Sequence, residues 1–85
     1  MTEQEVLAVF TRVLRDLLAN DSIVLQMDTT RGDVPDWDSF MYVNFIVAVE
    51  VELGIRFRVA HVEAFETVGE IVAEARRVQA EKPEH

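Results

Sequence analysis

Apolar residues return at helical spacing in three long segments of this chain, and nothing but their packing is available to hold a core together. There is no cysteine, so neither a disulfide framework nor a Cys-based metal site can staple the fold. At 85 residues the chain is one small domain, near the size at which a single core becomes marginal. An all-α bundle is the expected fold class, with three main helices, one short helix and a single core. Residues 3–79 are expected to fold, with 80–85 as a flexible tail.

The first segment opens on Thr2 with Glu5 three residues on, a capping-box pattern that satisfies orphan amides at a helix start. Val6, Phe10, Val13, Leu14 and Leu17 then form an apolar stripe, with Glu3, Arg12, Arg15 and Asp16 on other faces. Asn20-Asp21-Ser22 ends it. From Ile23 to Asp38 runs a long ordered loop, expected to tuck in Ile23 and either Leu25 or Met27. Pro35 disfavours helix at Val34 and fixes the approach to Trp37, which is read as a loop anchor. Asp38 is placed as the N-cap of the second helix and Ser39 in its first turn. The second helix is apolar on more than one side; Phe40, Val43, Ile46, Val49 and Leu53 are taken as its inner positions, with Phe45 flanking. Gly54 ends it. Ile55 to Val59 reads as an extended connector, and Ala60 to Ala64 as one short helical turn. Thr67 and Glu70 repeat the capping box before a last stripe of Val68, Ile71, Val72, Ala75 and Val78.

Sixteen acidic against eight basic residues give a formal charge of −8, which argues against nucleic acid or an anionic membrane as partner. Such a surface suits docking onto basic patches of other proteins. No apolar run approaches the roughly 18 residues of a membrane span. The acidic, polar start Met1-Thr2-Glu3-Gln4-Glu5 is unlike a signal peptide. A cytoplasmic monomer is the expectation.

In Val34-Pro35-Asp36-Trp37-Asp38-Ser39-Phe40, a serine stands where a helix begins. Such a serine is ordinarily a plain first-turn residue, and no general base stands beside it: the two histidines are His61 and His85. A self-activated nucleophile is therefore poorly supported, whereas a serine modified by another enzyme needs no base of its own. Asp38-Ser39-Phe40 resembles the Asp-Ser-Leu attachment motif of acyl carrier proteins and related peptidyl carriers. The preceding amphipathic helix, Leu53-Gly54-Ile55-Arg56-Phe57 and Phe65-Glu66-Thr67-Val68-Gly69-Glu70 match that family in order and approximate spacing over nearly the whole chain.

The resemblance implies a non-catalytic, discrete carrier. Its Ser39 receives 4′-phosphopantetheine from coenzyme A through a separate phosphopantetheinyl transferase, with Asp38 as the motif acid. The arm's terminal thiol then holds acyl groups as thioesters for acyl-loading and acyl-processing enzymes of fatty-acid-like, polyketide or other specialised biosynthesis. Aminoacyl, peptidyl and D-alanyl carriers share the architecture, and an unmodified helical interaction module is the competing class. Two departures stand out. Phe40 replaces the usual leucine and is expected to pack inward. Met41, Asn44, Val47, Glu50 and Val51 fall where the family's acidic partner face would run, as either a mildly apolar surface or an apolar docking face. Asp28, Asp33, Asp36 and Asp38 lack the spacing of a calcium loop, and His61 with Glu63 and Glu66 lacks a companion ligand, so no metal site is assigned.

Overall fold

A computed structural model describes residues 1–81, in the order α1 (Glu3–Leu18), a 3₁₀ turn (Arg31–Asp33), α2 (Ser39–Leu53), α3 (Val59–Ala64) and α4 (Val68–Glu81). Among the described residues there is no strand. The last helix extends over Ala80 and Glu81, two residues into the segment expected to be flexible; the rest of that segment, 82–85, lies outside the described residues.

α1 forms as its sequence dictates. Thr2 accepts from the Glu5 amide while Glu5 reaches back to the Thr2 amide at 2.8 Å, closing the capping box. Val6, Phe10, Val13 and Leu14 are buried on one face. The helix ends at Ala19 in the left-handed region, φ 52°, and α2 ends the same way at Gly54, φ 66°.

The long loop is held by backbone pairing onto α4. Thr29 and Met27 carbonyls accept the Val68 and Gly69 amides at 2.8 and 2.7 Å, filling donors that a helix start leaves open. A Cβ on Gly69 would stand 2.6 Å from the Met27 carbonyl oxygen, so this approach requires glycine. Thr67 accepts the Glu70 amide at 3.3 Å, but the Glu70 carboxylate turns to the Glu66 amide instead of completing the expected box. Ile23, Leu25 and Val34 of the loop are buried, and Met27 is half-buried against the core.

The core is built around Phe10 and Phe45, which meet edge-to-face at 5.4 Å, with Val49, Val68, Ile71, Val72 and Ala75 closing it. Each large side chain removed from water there contributes about 1.5–3 kcal/mol. Ile55 and Phe57 of the connector point in and Arg56 and Arg58 point out, as their alternation predicts. α3 contributes no fully buried residue; it is tied down by the Tyr42 hydroxyl donating to the Val62 carbonyl at 2.8 Å.

The inner face of α2 differs from the expectation. Phe45, Ile46 and Val49 are buried, with Tyr42 and Leu53 half-buried beside them, whereas Phe40 is 73% exposed and Val43 55%. Neighbours three apart on an α-helix differ by about 60°, so Phe40, Val43, Ile46 and Val49 sweep about 180° and cannot share a face.

Candidate functional site

Ser39 is the first residue of α2, and its position follows from the two residues before it. Trp37 is 4% exposed, its ring edge-to-face with Phe45 at 5.2 Å and tilted against Tyr42 at 6.1 Å. Phe45 in turn packs on Phe10, so an aromatic chain runs from the site's loop into α1. Trp37 is thus an anchor, although its indole Nε1 has no hydrogen-bond partner. Asp36 makes the turn before it at φ 70°.

Asp38 caps the helix. Its carboxylate accepts the Met41 amide at 2.9 Å and its carbonyl accepts the Tyr42 amide at 2.8 Å. Ser39 is exposed, and its hydroxyl has no partner among the described residues. The amides of the first turn that Asp38 does not fill belong to Ser39 and Phe40, beside that hydroxyl.

Ser39 opens onto a cleft of about 560 Å³ between α2, the 3₁₀ turn, α3 and the start of α4. Val43, Val62, Phe65, Val68 and Ile71 give it apolar walls, and Trp37 and Tyr42 form part of its floor. Arg31 is its one cation among the lining residues, with the guanidinium 5.1 Å above the Tyr42 ring. Burial holds the Tyr42 phenol above its ordinary value, against the opposing pull of Arg31, so it stays protonated as a donor to α3.

Among the described residues no histidine lines this cleft. His61 faces α4, its Nδ1 3.0 Å from a Glu74 carboxylate oxygen. Among the described residues no group of three or more His, Asp or Glu side chains gathers as metal ligands, and no helix is long and apolar enough to cross a membrane.

Of the residues read as a partner face, Val47, Glu50 and Val51 line one groove, and Met41 and Asn44 do not join it. Val47 and Val51 are exposed, at 51% and 79%. Met41 and Asn44 are half-buried, Met41 packing against the core with the Asn44 amide 3.8 Å from its sulfur. The Glu50 carboxylate accepts the Phe57 amide at 2.8 Å, which fastens the connector to α2. Sequence reasoning missed Tyr42, Arg31 and the outward Phe40. Tyr42 had a signal, since its register with Phe45, Ile46 and Val49 is that of one helical face.

No family model matches the chain, and neither does any curated protein. Among solved structures, the solution NMR structure of a holo acyl carrier protein from Geobacter metallireducens shares the fold with a TM-score of 0.83. It is 30% identical in sequence, and the match covers 93% of this chain and 94% of that one.

Proposed function

The chain belongs to the acyl carrier protein family, and from that premise we propose that Ser39 is its attachment residue for 4′-phosphopantetheine and Asp38 the acid that presents it. The observation that carries this reading is the free, exposed Ser39 hydroxyl on the first residue of a capped helix, at the mouth of an apolar cleft. When attached, the group supplies a flexible arm whose thiol holds an acyl cargo as a thioester.

The chain's own residues fit that role. Asp38 fixes the start of α2, and Trp37 fixes the loop before it, so Ser39 is offered to a transferase in one orientation. The Ser39 and Phe40 amides and the Arg31 guanidinium offer donors and positive charge to a phosphate diester beside Asp36 and Asp38, whose carboxylates would otherwise repel it. The apolar walls of the cleft offer shelter to an acyl chain. Among the described residues the serine has no base beside it and its cleft is lined by no histidine, which fits a serine that is modified by another enzyme rather than one that performs acyl chemistry itself. The chain is therefore read as a non-catalytic, cytoplasmic and monomeric carrier, modified by a phosphopantetheinyl transferase and served by acyl-loading and acyl-processing enzymes.

Intact-protein mass tests this directly. Incubation with coenzyme A, Mg²⁺ and a broad-specificity phosphopantetheinyl transferase should add one phosphopantetheinyl group, and Ser39→Ala should add none. No gain on folded wild-type protein, with the host's own transferase as well, would make the chain an unmodified interaction module.

A further inference from the structure

Among the described residues one buried side-chain polar atom is left without a partner, the indole Nε1 of Trp37. The neighbouring Tyr42 hydroxyl is already committed to the Val62 carbonyl. An N–H taken out of water with nothing to donate to is a standing cost to the fold. Packing does not explain it, because the contacts of Trp37 with Phe45 and Tyr42 use its ring and need no N–H. Trp37 is also part of the floor of the cleft onto which Ser39 opens, where Val43, Val62, Phe65 and Ile71 supply no polar side-chain atom. The orphaned donor and the attachment residue therefore belong to one cleft.

We propose that the Trp37 N–H is held for a keto oxygen on the acyl chain carried at Ser39, so that the cleft favours an oxo-acyl cargo over a plain alkyl one. The inference rests on the attachment reading above and adds the class of cargo. The chemistry of the site narrows the acceptor. A plain alkyl chain would leave the donor unpaired against hydrocarbon. An amide of the arm would satisfy it but would bring its own N–H among apolar walls, exchanging one orphan for another. A carboxylate would meet Glu63 and Glu66, which line the cleft against the single cation Arg31. A keto oxygen accepts, carries no charge and brings no donor. Because Nε1 is enclosed, the oxygen reaches it as a wall of the cleft gives way. α3 is the wall suited to that: it contributes no fully buried residue and is fastened through the Tyr42 hydroxyl and the His61 contact with Glu74.

Trp37 is the chain's single tryptophan, so its indole N–H gives one peak in a nitrogen-correlated NMR spectrum. The full chain is loaded from octanoyl- and from 3-oxooctanoyl-coenzyme A by a broad-specificity transferase, with intact mass verifying each product. In the 3-oxooctanoyl form the indole proton should move downfield and exchange with deuterium about tenfold more slowly than in the octanoyl form, which should match the bare arm. The 3-oxooctanoyl form should also have the higher urea midpoint. Trp37→Phe should erase that gap, whereas a purely structural role would lower both midpoints equally. An indole peak that moves alike in every form would make the arm or the thioester the acceptor, and one that moves in none would leave the donor unused; either overturns the proposal. If no mass is gained, the attachment reading fails on its own. S-octanoylpantetheine and S-3-oxooctanoylpantetheine titrated against the same peak then decide the donor: a shift with the second alone upholds it, and a shift with both or neither overturns it.

Discussion

α1 and α2 are nearly equal in length and lie against each other, yet they divide their surfaces by different rules. In α1 the apolar residues keep to one stripe, and charges occupy most of the rest. In α2 apolar side chains stand on both sides: Phe45, Ile46 and Val49 fill the core, while Phe40, Val43, Val47 and Val51 face outward. A helix that only needed to fold would resemble α1. The surplus on α2 begins one residue after Ser39 and lies on the side of the helix turned away from the core.

Two phenylalanines five residues apart break or sharpen that contrast most strongly. Phe45→Ala removes a fully buried ring that touches both Phe10 and Trp37 and should cost about 3–5 kcal/mol in urea denaturation followed by helical circular dichroism. Phe40→Ala removes an exposed ring and should stay within about 0.5 kcal/mol of wild type. If Phe40→Ala destabilised the fold as much as Phe45→Ala, α2 would have no spare face.

The same contrast explains what could be read from residue order. The stripe of α1, its capping box, the buried Ile23, the alternation of Ile55 to Arg58 and the cap at Asp38 were legible because each rests on local chemistry: a polar residue marks solvent, or a side chain meets an amide three positions on; between Leu25 and Met27 the sequence left the choice open. The rotation of α2 was not, because no polar residue marks its outer side. Its phase is set from outside, by Trp37 docking on Phe45 and by the Tyr42 hydroxyl reaching α3 twenty residues later. The half-formed box at Thr67 has a similar cause. The Glu70 carboxylate that would have reached the Thr67 amide is taken up by the Glu66 amide, and the next two amides, of Val68 and Gly69, are held by the loop carbonyls of Thr29 and Met27, a pairing between residues about forty positions apart. The exposure of the serine at a helix start was legible, while the cleft beside it needed four elements brought together.

The two helices also end differently in chemistry though alike in shape. α2 closes on Gly54, which adopts φ 66° freely, whereas α1 closes on Ala19 at φ 52°, where a Cβ is strained. Gly54→Ala should cost about 0.5–1 kcal/mol and Ala19→Gly should gain about as much, because in both directions the left-handed strain is offset by glycine's looser unfolded chain. A loss at Ala19→Gly, read in the urea midpoint, would mean that its methyl group packs.

α3 gives the smallest effect and sets a polar attachment against the apolar one joining α1 to α2. With no fully buried residue of its own, it is fastened by Tyr42 on one side and by His61 against Glu74 on the other. Hydrogen bonding from Arg77, and next from His61, holds the Glu74 carboxyl below its ordinary 4.5, against the opposing effect of its burial. The folded chain therefore binds that proton less readily than the unfolded chain does. Its contribution is complete above 4.5 and is lost as pH falls through the lower folded value. Urea midpoints of wild type and Glu74→Gln should be furthest apart near neutrality and converge in that acid range. The Phe45→Ala deficit should persist across the same range, since a cavity carries no proton. Parallel curves for wild type and Glu74→Gln would show that α3 is held by Tyr42 and its apolar neighbours alone.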